Sequence, residues 1–357
     1  MEENITGFLK RRLIISGPCS AETEEQLIST AIQLASLKQV DIFRAGIWKP
    51  RTKPGMFEGV GSIGLEWLQN AKKESGLPVT VEVASAKHVE EALKYNIDIL
   101  WIGARTTVNP FIVQELADAL AGTGVTVFIK NPVNPDIELW TGAIERFQSS
   151  GLKTGMIHRG FSNYTKTEFR NQPMWQIPIE MKRRFPGLLL ICDPSHICGN
   201  RKLIPQVCQT SIDLDFDGLM IETHPDPDNA LSDAMQQLKP SDLNKLLNSL
   251  IWRSENKDNN DNNLINNTTL DSLREQINQL DEELLYLMGE RMKIADKIGI
   301  FKKENNITIL QVERWNEILK KGLESSQKLK LSEAFIKQYF DAVHIESINH
   351  QNTIMNE

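Results

Sequence analysis

Four residues of types that bind divalent cations stand in short runs, each next to an apolar stretch: Cys19 in GPCSAE, His196 in DPSH, Glu222 in MIETHPDP and Asp233 in ALSDAMQQL. One thiolate, one imidazole and two carboxylates make a borderline donor set that suits manganese, iron, cobalt or zinc, manganese being the favoured ion. Singly, such residues have ordinary explanations: a cysteine after a strand is often buried filler, and a histidine often a core or capping residue. A second constellation is cationic: Arg44, Lys49 and Arg51 in FRAGIWKPRT, Arg105 in GARTT, Lys130 in IKNP, and His158 with Arg159 in MIHRGF. So many cations repel one another unless anions lie among them. Guanidinium groups pair bidentately with carboxylates and phosphates, and lysines act as point charges, so the mixture suits small substrates carrying both groups. No GxxxxGKS/T loop and no GxGxxG fingerprint follows a strand, which argues against a nucleoside triphosphate or a dinucleotide.

These residues need a frame that gathers them. Eight short β-rich runs supply it: LIIS at 13–16, DIFRA at 41–45, VTVEV at 79–83, DILWIG at 98–103, TVFIK at 126–130, GMIHR at 155–159, LLLICD at 188–193 and GLMIET at 218–223. Amphipathic stretches of helix length separate them, and another follows the last. This alternation predicts an α/β fold with a parallel sheet, most simply a closed (β/α)8 TIM barrel, with an open doubly wound sheet as the other topology. In such a barrel chemistry sits at the C-terminal strand ends, where Cys19, Arg44, Glu82, Arg105, Lys130, Arg159, His196 and Glu222 fall.

Composition changes after the barrel. The run RSENKDNNDNNLINNTT is dominated by Asn and Asp and has little to bury, so a linker is expected at 254–267, between a barrel at 1–253 and a helical domain at 268–357. Beyond it Leu270, Leu273, Ile277, Leu280, Leu284, Leu287, Met288, Met292, Ile294, Ala295 and Ile298 recur at helical spacing and predict one long helix. Shorter helices are expected at 310–324 and 331–352, with Ser332 as N-cap of the second. Three such uneven helices call for a homodimer or a larger homo-oligomer. Four cysteines with no CxxC pair do not make a disulfide framework. A net charge of −7 argues against nonspecific nucleic-acid binding, and no apolar run reaches membrane-spanning length or resembles a leader, so a cytoplasmic protein is expected. The first strand begins by about Leu13, and no regulatory module is expected ahead of it.

Taken in order, GPCSAE, KPRT, GARTT, IKNP, HRGF, DPSH and MIETHPDPDNALSD resemble the compact form of the 3-deoxy-D-arabino-heptulosonate 7-phosphate (DAHP) synthase family, over roughly residues 10–245. The resemblance implies condensation of phosphoenolpyruvate with erythrose 4-phosphate, with Cys19, His196, Glu222 and Asp233 holding one divalent ion. It further implies that Arg44, Lys49, Arg105, Lys130 and Arg159 would hold phosphoenolpyruvate. Arg51 and Thr52 would receive the phosphate of erythrose 4-phosphate, with Lys49 within reach of both substrates. Glu82 is open to two readings, activation of the attacking water or a structural partner for an arginine. A five-carbon aldose phosphate is the alternative second substrate.

The segment LREQINQLDEELLYLMGERMKIADKIGIFKKE, with the later Ser347 and Gln351, resembles the helical chorismate mutase family over about residues 268–354. The resemblance implies rearrangement of chorismate to prephenate. Arg291 and an Arg274 from a partner subunit would clamp the carboxylates, Lys302 and Gln351 would face the ether oxygen, and Arg314 and Ser347 would complete the site. In one departure Trp315 follows Arg314 where the family usually has an acid that accepts from the substrate hydroxyl, and Gln311 stands where another acid is common. An indole donates but cannot accept a hydrogen bond. Two expectations follow: an active mutase that also reports prephenate or chorismate to the barrel, or an inactive dimerisation or sensor module.

Overall fold

The structure is a computed structural model that describes residues 12–50, 55–164, 167–253 and 262–356. The chain divides into two compact units, Met1–Glu255 and Asn256–Glu357.

In the first unit the strands are β1 (Leu13–Gly17), β2 (Ile42–Arg44), β3 (Val79–Val83), β4 (Ile99–Ile102), β5 (Thr126–Lys130), β6 (Thr154–His158), β7 (Leu190–Cys192) and β8 (Gly218–Glu222). They pair in parallel in sequence order, and β8 closes on β1 to complete a barrel. Each lies within about one or two residues of the apolar run read for it. The helices are α1 (Glu24–Ser36), α2 (Ile63–Ser75), α3 (Ala86–Lys94), α4 (Ala104–Thr107), α5 (Pro110–Leu120), α6 (Ile137–Ser149), α7 (Gln176–Arg184), α8 (Pro194–Cys198), α9 (Ile204–Asp213) and α10 (Pro240–Ser249).

Side chains on a strand alternate between faces, and here the alternation sets up two cores. Residues facing the helices, such as Ile14, Phe43, Val81, Leu100 and Ile129, join one large cluster with the helix faces. The inward positions Leu13, Ile15, Ile42, Ile99, Trp101, Phe128, Ile157, Ile191 and Met220 plug the barrel. One inward step further along their strands stand Arg44, Lys130, Arg159, Asp193 and Glu222, so the same two-residue period that builds the plug lifts charged groups onto it. At the closing seam Gly17 of β1 pairs with Glu222 of β8, which brings Cys19, two residues on, beside the end of β8.

The second unit contains α11 (Asn262–Glu304), α12 (Val312–Leu329) and α13 (Glu333–Asn356). Of the expected linker, residues 254–261 lie outside the described residues, and α11 begins within the remainder. Ser332 accepts from the Phe335 amide at 3.2 Å, the capping bond read from its sequence. Met292, Ala295 and Val343 form a small buried cluster with Met288 against it. Leu273, Ile277, Leu280, Leu284 and Leu287, on the apolar stripe read for α11, are exposed within the helical unit.

Candidate active sites

Trp101 is the floor of the barrel mouth. Its indole nitrogen donates to Glu82 Oε2 at 3.1 Å, while the Arg44 guanidinium carbon and Lys130 Nζ stand 4.9 and 5.7 Å from the ring centroid. Both cations thereby gain quadrupole attraction in a site with little water. Arg44 is 1% exposed; its Nη2 lies 3.3 Å from Glu222 Oε1 and donates to the Cys19 carbonyl. Its Nε and Nη1 are buried with no hydrogen-bond partner among the described residues, a state that a bound anion would relieve. Inward beyond Trp101 the chain has Gly103, and a Cβ there would stand 2.0 Å from Glu82 Oε1.

Above this floor the Cys19 thiol and the carboxylates of Glu222 and Asp233 place their ligand atoms within 4.8 Å of one another. His196 adjoins them, its Nε2 3.8 Å from Glu222 Oε1. Asp193 caps α8 by accepting from the His196 amide and also meets the ring Nδ1 at 3.0 Å, which fixes the imidazole and frees Nε2. Glu222 Oε2 accepts from Gln236 at 2.7 Å, but the buried Oε1 has no hydrogen-bond partner among the described residues. Asp233 is carried on left-handed backbone, φ 46°, a conformation uncommon for a residue with a side chain.

The electrostatics suit a cation. Burial, then Glu222, pushes the Cys19 thiol up to about 12, against the opposing pull of Lys49 and Arg44. Burial also disfavours ionised Glu222 and Asp233, yet His196 with Arg44, and His196 with Arg170, hold the two carboxyls below their ordinary range. A divalent ion would add the charge needed to ionise the thiol. Donor types, spacing and the unbonded Glu222 oxygen all fit such an ion, and Cys19, His196, Glu222 and Asp233 are the residues that would hold it.

A cavity of about 320 Å³ opens over this group, lined by Lys49, Arg105, Lys130, Arg159, Arg170 and Asp233 among others. Lys49 Nζ donates to the Cys19 carbonyl and lies 3.4 Å from its Sγ. Lys130 pairs with Asp193 at 2.7 Å, Arg105 donates to the Pro50 carbonyl at 2.7 Å, and Arg159 donates to Asn171 at 2.6 Å. Burial lowers Arg159 to about 10. Arg51 and Thr52 lie outside the described residues.

One expected cation is corrected. His158 points the other way from Arg159, into Trp140, Phe161, Trp175 and Phe216, because neighbours on a strand face opposite sides. Burial lowers it to about 3, so it is neutral at physiological pH. Sequence reasoning missed Asp193, Trp101 and Arg170. Two-residue spacing from Ile191 would have found Asp193; Arg170, which pairs with Asp233 at 3.0 Å, lies in an irregular segment with no such signal.

In the helical unit Arg291 donates to Ser347 Oγ at 2.5 Å, and Lys302, 7% exposed, donates to the Ile309 carbonyl at 2.5 Å. Gln351 is buried one helical turn beyond Ser347 and donates to its carbonyl at 3.2 Å. Gly299 of α11 faces Gln351, and a Cβ there would already stand 3.2 Å from its Cα. Arg274 and Arg314 are exposed, in local ion pairs with Asp271 and Glu317 at 3.3 and 2.9 Å.

The sequence model of the DAHP synthetase I family matches residues 2–257, and that of chorismate mutase type II matches residues 273–352. A phospho-2-dehydro-3-deoxyheptonate aldolase of Thermotoga maritima is 33% identical over 226 residues, 63% of this chain and 64% of that protein, so less than two thirds of its length is spanned. A 2-dehydro-3-deoxyphosphooctonate aldolase of Nitratidesulfovibrio vulgaris is 27% identical over 268 residues, 69% of this chain and 93% of that one. The crystal structure of the Thermotoga maritima phospho-2-dehydro-3-deoxyheptonate aldolase superposes with a TM-score of 0.59 at 30% identity, covering 67% of each chain. A truncated form of the 3-deoxy-D-arabino-heptulosonate 7-phosphate synthase from the same organism gives 0.58 at 29% identity, covering 67% of this chain and 84% of that one.

Proposed function

Because this chain belongs to the DAHP synthetase I family, we propose that its barrel condenses phosphoenolpyruvate with erythrose 4-phosphate, releasing phosphate, and that its helical unit rearranges chorismate to prephenate. The observation that carries the first activity is the Cys19, Glu222 and Asp233 group, within 4.8 Å and under a cation-lined cavity.

When bound there, a divalent ion, with manganese the first to try, supplies Lewis acidity to the aldehyde oxygen. The protein does the rest by charge and position. Lys130, Arg105 and Arg159 bind the carboxylate and phosphate of the enol phosphate, and Arg44 beneath them adds buried positive charge. Lys49, beside Cys19, reaches both substrates. Trp101 holds Glu82 at the cavity edge. The preorganised cations stabilise charge that develops on carboxylate and phosphate without reorganising solvent. Arg51 and Thr52 receive the phosphate of the aldose.

In the helical unit Arg291 binds a carboxylate, Lys302 and Gln351 face the ether oxygen, and Ser347 orients Arg291. Arg274 of the partner subunit supplies the second clamp in a homodimer that covers the exposed stripe of α11. Arg314 completes the site. Prephenate or chorismate bound there restrains the synthase, provided it prefers one arrangement of the protein over another. No helix among the described residues is long and apolar enough to cross a membrane, and we place the protein in the cytoplasm.

Phosphoenolpyruvate consumption after EDTA treatment, with and without restored manganese, tests the barrel. Erythrose 4-phosphate should be consumed faster than a five-carbon aldose phosphate, the alternative kept open by the octonate aldolase relatives. Added prephenate should slow the reaction. Turnover indifferent to metal would overturn the site assignment, and turnover indifferent to prephenate the regulation. Trp315, standing where an acid is expected by resemblance, favours a second reading, a helical module that binds without converting; chorismate left unconsumed by the intact protein would decide for it.

A further inference from the structure

The polar cluster of the helical unit is lopsided. Arg291 and Lys302 bring two cations, and Ser347 already accepts from Arg291. Gln351 is 8% exposed, and its Oε1 has no hydrogen-bond partner among the described residues. A buried acceptor in that state costs free energy unless a ligand or water donates to it. The cluster's cations therefore suit a ligand that carries anionic groups, with a ligand group or a water donating to the Gln351 oxygen.

His344 lies three residues before Ser347 and seven before Gln351 on α13, spacings that share one side of a helix. From α12 the Trp315 ring stacks on its imidazole, the centroids 4.2 Å apart and the planes 20° from parallel. Stacking occupies the face of the imidazole and leaves its edge, where the nitrogens are, for hydrogen bonds. The charged groups acting on it are Arg291 and Lys302 of α11 and Asp341 of its own helix. Burial, then Arg291, lowers it from the ordinary histidine value, with Asp341 opposing and Lys302 adding to the effect. A neutral imidazole offers one acceptor nitrogen, which neither Arg291 nor Lys302 can offer. By resemblance an acidic acceptor belongs at position 315, and this chain has an indole there.

We propose that His344, backed by Trp315, is a substrate-binding residue that accepts a hydrogen bond from the ring hydroxyl of the bound dicarboxylate. The proposal rests on the mutase reading above. It assigns Trp315 a positioning role, so that the acceptor arrives from α13 instead of α12.

The test uses the intact protein, His344→Phe and His344→Asn. It measures chorismate turnover, and it measures by titration calorimetry the affinity for prephenate and for an analogue lacking the ring hydroxyl. His344→Phe, which keeps an aromatic stack, should lose about ten-fold or more in both kcat/KM and prephenate affinity; His344→Asn should recover part of the loss. The hydroxyl-free analogue should bind wild type and His344→Phe alike. It should also bind wild type about ten-fold more weakly than prephenate, a comparison that needs no variant to fold. Wild-type values in His344→Phe, or equal losses for both ligands, would overturn the proposal and leave the mutase reading standing. A wild type that neither consumes chorismate nor binds prephenate would remove that reading, and this proposal with it.

Discussion

The carboxylate of Asp193 serves two neighbours at once, Lys130 at 2.7 Å and His196 Nδ1 at 3.0 Å. It thereby ties the cation expected to hold substrate to the imidazole expected to hold metal. Asp193→Asn keeps the size but removes the charge. We expect metal affinity to fall about 10- to 100-fold, as for other partners of ligating histidines, with phosphoenolpyruvate KM rising in parallel. Equilibrium dialysis with manganese and steady-state kinetics check the two effects. His158, one strand over, shows the opposite use of burial. Burial lowers its folded pKa from 6.5 to about 3, so below pH 6.5 the unfolded chain takes up a proton that the folded chain refuses. Stability from this group is therefore present above 6.5 and declines as pH falls toward 3, by about 1.4 kcal/mol per unit. His158→Phe removes that slope. Urea unfolding at pH 7 and 5 should show the variant gaining about 2 kcal/mol on the wild type between them. These two residues also show what a sequence discloses at this scale. Residue type and strand-end position pointed to Arg44, Lys130 and Arg159, but only the parity of the strand separates Arg159 from His158. Arg170 lies where no periodicity exists to read.

Strands and helices were legible because their patterns are local. The eight apolar runs in alternation with amphipathic stretches carry their own period, and Ser332 caps α13 with a bond that depends only on three residues of spacing. What sequence could not convey is how tightly neighbouring strand ends approach. Gly103, just past β4, leaves room for the end of the Glu82 side chain, since a Cβ would stand 2.0 Å from Oε1. Gly103→Ala should displace the end of Glu82 from the indole of Trp101 and cost about 1 kcal/mol of stability, the worth of that hydrogen bond. Urea denaturation checks that cost, and phosphoenolpyruvate turnover should fall with it because the floor of the cavity shifts.

At the scale of the whole molecule, the chain joins a unit with a large closed core to one that buries little by itself. Leu280 is 58% exposed and Leu284 55%, on a stripe whose period was plain in the sequence but which the helical unit does not cover by itself. Leu280→Glu should shift the proposed dimer toward monomer in sedimentation velocity. Chorismate turnover should fall at least ten-fold, because the shared site proposed above would lose its second arginine, while metal-dependent synthase turnover without effectors stays at wild-type level. A dimer that survives the substitution would place the interface elsewhere.

The seam between β1 and β8 joins the beginning of the barrel to its end, and the site built there is split in the same way: Cys19 and Asp233 are 214 positions apart along the chain. A chain emerging from the ribosome presents the thiol first, and its carboxylate partners follow only when nearly the whole barrel has been made. A divalent ion held there would thus meet a complete site only on a finished ring, and by mass action it would stabilise closed barrels over open ones. Such an ion would then act as a clasp on the assembled ring before any part it takes in chemistry.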